Sequence, residues 1–85
     1  MMGQISISIK LFGILRDNLP STAERGQLKL LVPAGIDAGG VLARLGIPAE
    51  NRGHLVVLIN GRQVGSDHVL KEGDVLSAFP ALAGG

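Results

Sequence analysis

Ile5-Ser6-Ile7-Ser8-Ile9-Lys10-Leu11 alternates apolar and polar residues without a break. Successive side chains of an extended strand point to opposite faces, so this period of two puts Ile5, Ile7, Ile9 and Leu11 on one side. A strand of this kind has one wet face and one that must be covered. That restricts the chain to a sheet with something packed on it.

Phe12-Gly13 ends the alternation. Ile14, Leu15, Asn18 and Leu19 then have the spacing of a short helical turn, which Pro20 closes. Residues 21–26 are polar and read as a loop. Leu28-Lys29-Leu30-Leu31-Val32 reads as a second strand, ended by Pro33. The connection between the two strands is too long for a tight hairpin, so their pairing is left open. Pro33-Ala34-Gly35-Ile36 is a turn. Asp37 is suited to cap a helix, since its carboxylate can accept bonds from the open N–H groups of the first turn. Val41, Leu42 and Leu45 follow at helical spacing. Gly46 is placed to cap the far end, and Pro48 bars continuation. Gly39 and Gly40 each cost a helix about 1 kcal/mol relative to alanine. A short helix that depends on docking against the sheet is expected.

Leu55-Val56-Val57-Leu58-Ile59 is aliphatic throughout and is expected to be buried on both faces, or nearly so. Asn60-Gly61 is a strong hairpin signal, because a type I′ turn needs positive φ at both positions. Arg62-Gln63-Val64 returns as a short strand, and residues 67–70 connect onward. Lys71-Glu72-Gly73-Asp74 is a polar turn into the last strand, Val75-Leu76-Ser77-Ala78-Phe79. The order is β, β, α, β, β, β. In 85 residues this makes one small α+β domain whose core has a thin margin.

Several function classes fall away. The chain has no cysteine, hence no disulfide, no zinc–thiolate site and no cysteine nucleophile. Any sulfur chemistry must use sulfur other than a cysteine thiol of this chain. Net charge is +1 with scattered basic residues and no Trp or Tyr, which gives nucleic-acid binding little support. The N-terminus runs into alternating Ile and Ser rather than an apolar signal core, and the aliphatic run at residues 55–59 is far too short to span a membrane. A soluble cytoplasmic protein is expected.

The residues with chemical potential have ordinary explanations. His54 and His68 each stand alone, with no His-x-x-x-His spacing, and read as surface residues. Asp67, Glu72 and Asp74 fall in turn-like segments, which favour such side chains. No phosphate-binding glycine loop is present. Arg16, Arg44, Arg52, Arg62 and Lys71 read mostly as a solvated face. Phe12 and Phe79 are the only aromatic residues. Core burial is the expectation for them, and the alternative, together with Pro80, is a partner-facing anchor. No catalytic residue, metal ligand or bound cofactor is expected, and the chain is not read as an enzyme.

What remains is the end, Phe79-Pro80-Ala81-Leu82-Ala83-Gly84-Gly85. After Pro80 neither periodicity continues. Glycine lacks Cβ, so its backbone can enter channels closed to other residues. Ala81, Leu82, Ala83, Gly84 and Gly85 are expected to form a flexible tail after a domain at residues 1–80. Extended, they reach roughly 17 Å at about 3.4 Å per residue. That is enough to carry a carboxylate into a partner's active site.

The ordered pieces resemble a known family. They are Leu11-Phe12-Gly13-Ile14-Leu15-Arg16-Asp17, Pro33-Ala34-Gly35-Ile36-Asp37 and Val41-Leu42-Ala43-Arg44-Leu45-Gly46. Then come Ile59-Asn60-Gly61-Arg62-Gln63-Val64, Leu70-Lys71-Glu72-Gly73-Asp74-Val75, Phe79-Pro80 and Gly84-Gly85. Together they are similar to the MoaD/ThiS-like sulfur carriers, which have the ubiquitin-like β-grasp fold. The resemblance covers nearly the whole chain. The Phe79-Pro80 step and the segment after the first strand resemble the small subunit of molybdopterin synthase more than the thiamin sulfur carrier. Two departures are Ala81, where that subfamily often has proline, and the Gly39-Gly40 pair in the helix.

The resemblance implies a mixed four- to five-stranded sheet on one main helix. It also implies a role in which an E1-like enzyme adenylates Gly85 with ATP and a sulfur donor converts the adenylate to a thiocarboxylate. In molybdopterin synthesis the tail would enter a large catalytic subunit and give its sulfur to a pterin precursor. Alternatives in the same chemistry are another pathway (thiamin, tungsten cofactor, tRNA thiolation, cysteine) or attachment to other proteins as a modifier.

Overall fold

A computed structural model describes residues 3–12, 27–47 and 55–80. In chain order these form β1 (Gln4–Leu11), β2 (Gln27–Pro33), α1 (Ala38–Arg44), β3 (Leu55–Ile59), β4 (Arg62–Gln63) and β5 (Val75–Pro80). The turn expected at residues 14–19, the loop at 21–26, Pro48, His54 and the tail at 81–85 lie outside the described residues.

The five strands make one mixed sheet in the order β2-β1-β5-β3-β4. β1 and β2, whose pairing the sequence left open, are antiparallel, with Ile7 opposite Leu30. β5 enters between β1 and β3, parallel to β1 and antiparallel to β3. The last of the described strands is thus the middle strand of the sheet.

Register explains which side is covered. Ile9 is aligned with Leu28 on one neighbour and Leu76 on the other. Leu11 is aligned with Ala78, which in turn faces Val57. Ile7, Ile9, Leu11, Val57, Ile59, Leu76 and Ala78 are buried together with Ala38, Val41 and Leu42 of α1, and Leu28 packs at their margin. The period-two strand and the helix therefore hide each other's apolar surface, as their patterns require. The expectation for β3 needs correction. Val57 and Ile59 are buried, but Leu55, Val56 and Leu58 are only half-buried. The sheet is covered on one face, so the alternate residues of β3 line the other, open face.

α1 is set at both ends. The Asp37 carboxylate accepts the Gly40 N–H at 2.7 Å, and Gly46 takes a positive φ of 82° just beyond the last turn. The N–H groups of Ala38 and Gly39 donate to the carbonyls of His68 and Ser66, both at 2.8 Å. The connector before β5 thus satisfies donors that a helix start leaves open. Gly39 is buried where the connector approaches.

Gly40 is also tight. A Cβ there would lie 2.8 Å from Ile36 Cγ1 and 3.2 Å from the capping oxygen of Asp37. Gly40 is therefore a condition of packing rather than a weakness of the helix. Gly40→Ala is expected to destabilise the domain by about 1 kcal/mol, because crowding of about 1–3 kcal/mol outweighs a helix gain of about 1 kcal/mol. Chemical denaturation checks this, and a stabilised variant would contradict it.

Asn60-Gly61 forms the expected hairpin, with φ of 52° and 85°. Asn60 also does something its turn does not require. Its side chain accepts the Val75 N–H at 2.9 Å and donates to Asp74 Oδ1 at 2.8 Å. Asp74 Oδ2 accepts the Lys71 N–H at 2.8 Å. One asparagine and one aspartate tie the β3–β4 hairpin to the turn that launches β5.

Candidate functional site

β5 ends at Pro80, opposite Leu55 at the start of β3. The Phe12 N–H donates to the Ala78 carbonyl at 3.1 Å, which extends the β1–β5 ladder one residue beyond β1. In a parallel pair the next rung would need an N–H at position 80, and proline has none. The ladder therefore stops at the residue before the tail. The point of departure is fixed from both sides, by β1 and by β3.

Beside that point lies an aromatic pair. The rings of Phe12 and Phe79 are 5.9 Å apart at 77°, an edge-to-face contact. Such pairs contribute about 0.5–1.5 kcal/mol beyond area burial. Phe79 faces Val56 across the strands, and Leu58 faces Ser77 one rung further on. These side chains share the open face of the sheet. Core burial, the expectation for both phenylalanines, does not hold for Phe12, which is 47% exposed. Phe79 is half-buried, and Pro80 is exposed. The reason is parity: Phe12 follows Leu11 and Phe79 follows Ala78, both of which point into the core. The alternative reading, an anchor for a partner, fits this placement.

The structure brings Phe12, Phe79 and Pro80 together at one end of the sheet. Ala81, Leu82, Ala83, Gly84 and Gly85 lie outside the described residues. Val56 and Leu58 were missed as members of this surface. The strand itself carried no signal for this, since an unbroken aliphatic run fits a one-sided sheet as well as a two-sided one. Among the described residues there is no cluster of three or more His, Cys, Asp or Glu able to hold a metal ion. No helix there is long and apolar enough to cross a membrane. His68 is exposed in a turn, and its backbone rather than its ring is engaged with α1. Glu72 accepts the Ser6 N–H at 3.0 Å, and Asp74 is held in the Asn60 clamp, so both carboxylates have structural work.

Comparison with known proteins places this geometry. No curated protein matches the sequence. Among solved structures, the HVO 2177 protein of Haloferax volcanii superposes with a TM-score of 0.78 at 28% identity, covering 98% of this chain and 89% of that one. SAMP1 of Haloferax volcanii gives 0.67 at 27% identity, covering 94% and 99%. A chain from the complex of subunits 1 and 2 of the molybdopterin-converting factor of Helicobacter pylori gives 0.56 at 21%, covering 95% and 100%, a likeness of fold. The fold is the ubiquitin-like β-grasp of the sulfur-carrier type. A model of the ThiS family matches residues 9–85, and the chain belongs to the ThiS family.

Proposed function

We propose that the protein is a sulfur carrier whose Gly85 carboxylate is the working group, and that it supplies sulfur for molybdopterin synthesis. The observation that carries the reading is the family match, which runs from β1 through Gly85. The geometry supports it, since the middle strand delivers the chain to its point of departure beside an apolar surface.

The chemistry follows from the weakness of a carboxylate as an electrophile. An E1-like adenylating enzyme joins the Gly85 carboxylate to the α-phosphate of ATP and releases pyrophosphate. A hydrosulfide equivalent from a sulfur donor attacks the acyl carbon, AMP leaves, and a thiocarboxylate remains. This sulfur is a nucleophile that needs no cysteine, as the composition demands. Residues 81–85 act as a flexible tail that carries it into the active site of a large subunit. Catalytic groups belong to the partners, ATP is the activating partner's substrate, and this chain is a recyclable cosubstrate in the cytoplasm.

Phe12, Phe79 and Pro80 then serve as the docking surface for the activating enzyme. Phe12→Asp is expected to lower its kcat/KM for this protein about tenfold, as loss of an aromatic interface anchor does. The fold should be unchanged, because Phe12 is exposed. Loading kinetics followed by mass spectrometry check this, and an unchanged kcat/KM would show that the partner docks elsewhere.

The pathway is tested separately. Loaded protein mixed with a molybdopterin synthase large subunit and the pterin precursor should yield the dithiolene product. Loading without product would reject the pathway and keep the carrier. A second reading, a protein modifier, is favoured by the likeness to SAMP1, which is small archaeal modifier protein 1 of Haloferax volcanii. There a lysine amine attacks the activated Gly85 carbonyl in place of sulfur. Isopeptide-linked adducts that survive reducing denaturation would favour it.

A further inference from the structure

We propose that the outer edge of β2 is a strand-addition site for an extended segment of a partner protein, alternating apolar and acidic residues. β2 is the end strand of the sheet. The Ala34 N–H donates to the Gly3 carbonyl at 2.9 Å, one step beyond the Gln4–Pro33 rung. Bonded pairs alternate along an antiparallel ladder, so Val32, Leu30 and Leu28 turn their polar groups toward β1. β1 agrees independently. Ser6, Ser8 and Phe12 bond toward β5 through Gly73, Asp74 and Ala78, which leaves Ile5, Ile7 and Ile9 to face β2.

The N–H and C=O groups of Gln27, Lys29 and Leu31 therefore point outward, where no described strand lies. Pro33 has no N–H, so the row of donors ends there. Unpaired edge groups are a template for another strand.

The side chains say what kind of strand fits. Leu28 and Leu30 are half-buried at the margin of the core. A strand laid outside them continues the covered face and needs apolar residues at alternate positions. On the open face Leu31 is 61% exposed, and Lys29 is a diagonal neighbour of Lys10, since Lys29 faces Ser8 and Lys10 faces Gln27. The described carboxylates of Asp37, Glu72 and Asp74 are turned to backbone or amide donors instead. An incoming strand that places acidic residues on this face finds two positive charges.

A second copy of β2 fits less well. A two-fold axis at Lys29 sets like charges opposite each other, and a register shifted by one step places Gln27 against Pro33 and loses a bond.

The test is a titration of ¹⁵N-labelled full-length protein with a capped eight-residue peptide of alternating valine and aspartate. Saturable shifts and exchange protection are expected at the Gln27, Lys29 and Leu31 amides, with smaller changes at Leu28 and Leu30. Leu31→Pro removes an outward N–H without touching the β1 ladder and is expected to abolish binding. Lys29→Glu is expected to weaken it about fivefold and to reverse the preference toward an alternating valine–lysine peptide. This second variant decides the matter if the first does not fold.

Three results would overturn the proposal. They are no saturable shifts at millimolar peptide, shifts confined to the Phe12–Phe79 surface, or the same amides shifting with protein concentration alone, which would mark a dimer edge. Loading of Gly85 by an activating enzyme is expected to be normal in Lys29→Glu. A failure here is thus distinct from a failure of the carrier reading.

Discussion

Adding one alanine after Gly85 is expected to abolish sulfur loading and leave the folded domain unchanged. The carboxylate would move by up to about 3.4 Å, one residue of extended chain. A misplacement of about 1 Å at a reacting centre can cost a factor of about 100, so loading should fall at least that far. The new residue also brings a Cβ into a channel expected to admit only glycine backbone. The described core contains nothing beyond Pro80, so the thermal midpoint should not move. Intact mass and thermal denaturation, measured on the same sample, read both halves. Loading at the original rate would show that the reacting carbon is not tied to Gly85.

Ile9→Ala is expected to cost about 3–4 kcal/mol. Ile9 has no exposed surface and is aligned with both Leu28 and Leu76. Truncating it removes buried surface on the covered face and leaves a cavity that a sheet fixed on both sides cannot collapse. A domain of this size is stable by about 4–13 kcal/mol in total. A fall in the midpoint of roughly 12–32 °C follows. Ser8→Ala, one residue away on the open face, should change stability by less than about 0.5 kcal/mol. If the two variants behaved alike, the one-sided sheet would be wrong.

How far the chain could be read in advance depended on how local the determining physics was. The alternation in β1, the Asn60-Gly61 turn, the Asp37 cap and the Gly46 stop act within a few residues, and each is where the pattern put it. The resemblance of the ordered pieces to the MoaD/ThiS-like carriers pointed to the right family. Two-sidedness was not local. Leu55-Val56-Val57-Leu58-Ile59 carries no alternation, so nothing in it told a one-sided sheet from a buried one. Phe12 was misjudged for the same reason, because its exposure depends on the parity of β1 continuing past Leu11.

Gly40 looked like a defect because its cause is a packing contact, with the Ile36 side chain and the Asp37 cap, that helix propensity does not register. The second task of Asn60 was likewise invisible, since it depends on Asp74 arriving beside the hairpin. At the candidate site, Phe79 and Pro80 were singled out for their position before the tail. Val56 and Leu58 join them only through the register of β3 on β5.

The central claim is that the Gly85 carbonyl carbon takes the chemistry and the folded sheet presents it. The most direct measurement is intact and tandem mass spectrometry after incubation with an E1-like enzyme, ATP and a sulfur source. The account predicts a gain equal to one oxygen-to-sulfur exchange, located on Gly85 and dependent on ATP. A sulfur gain located on any other residue, or none while the same enzyme loads its own carrier, would contradict it.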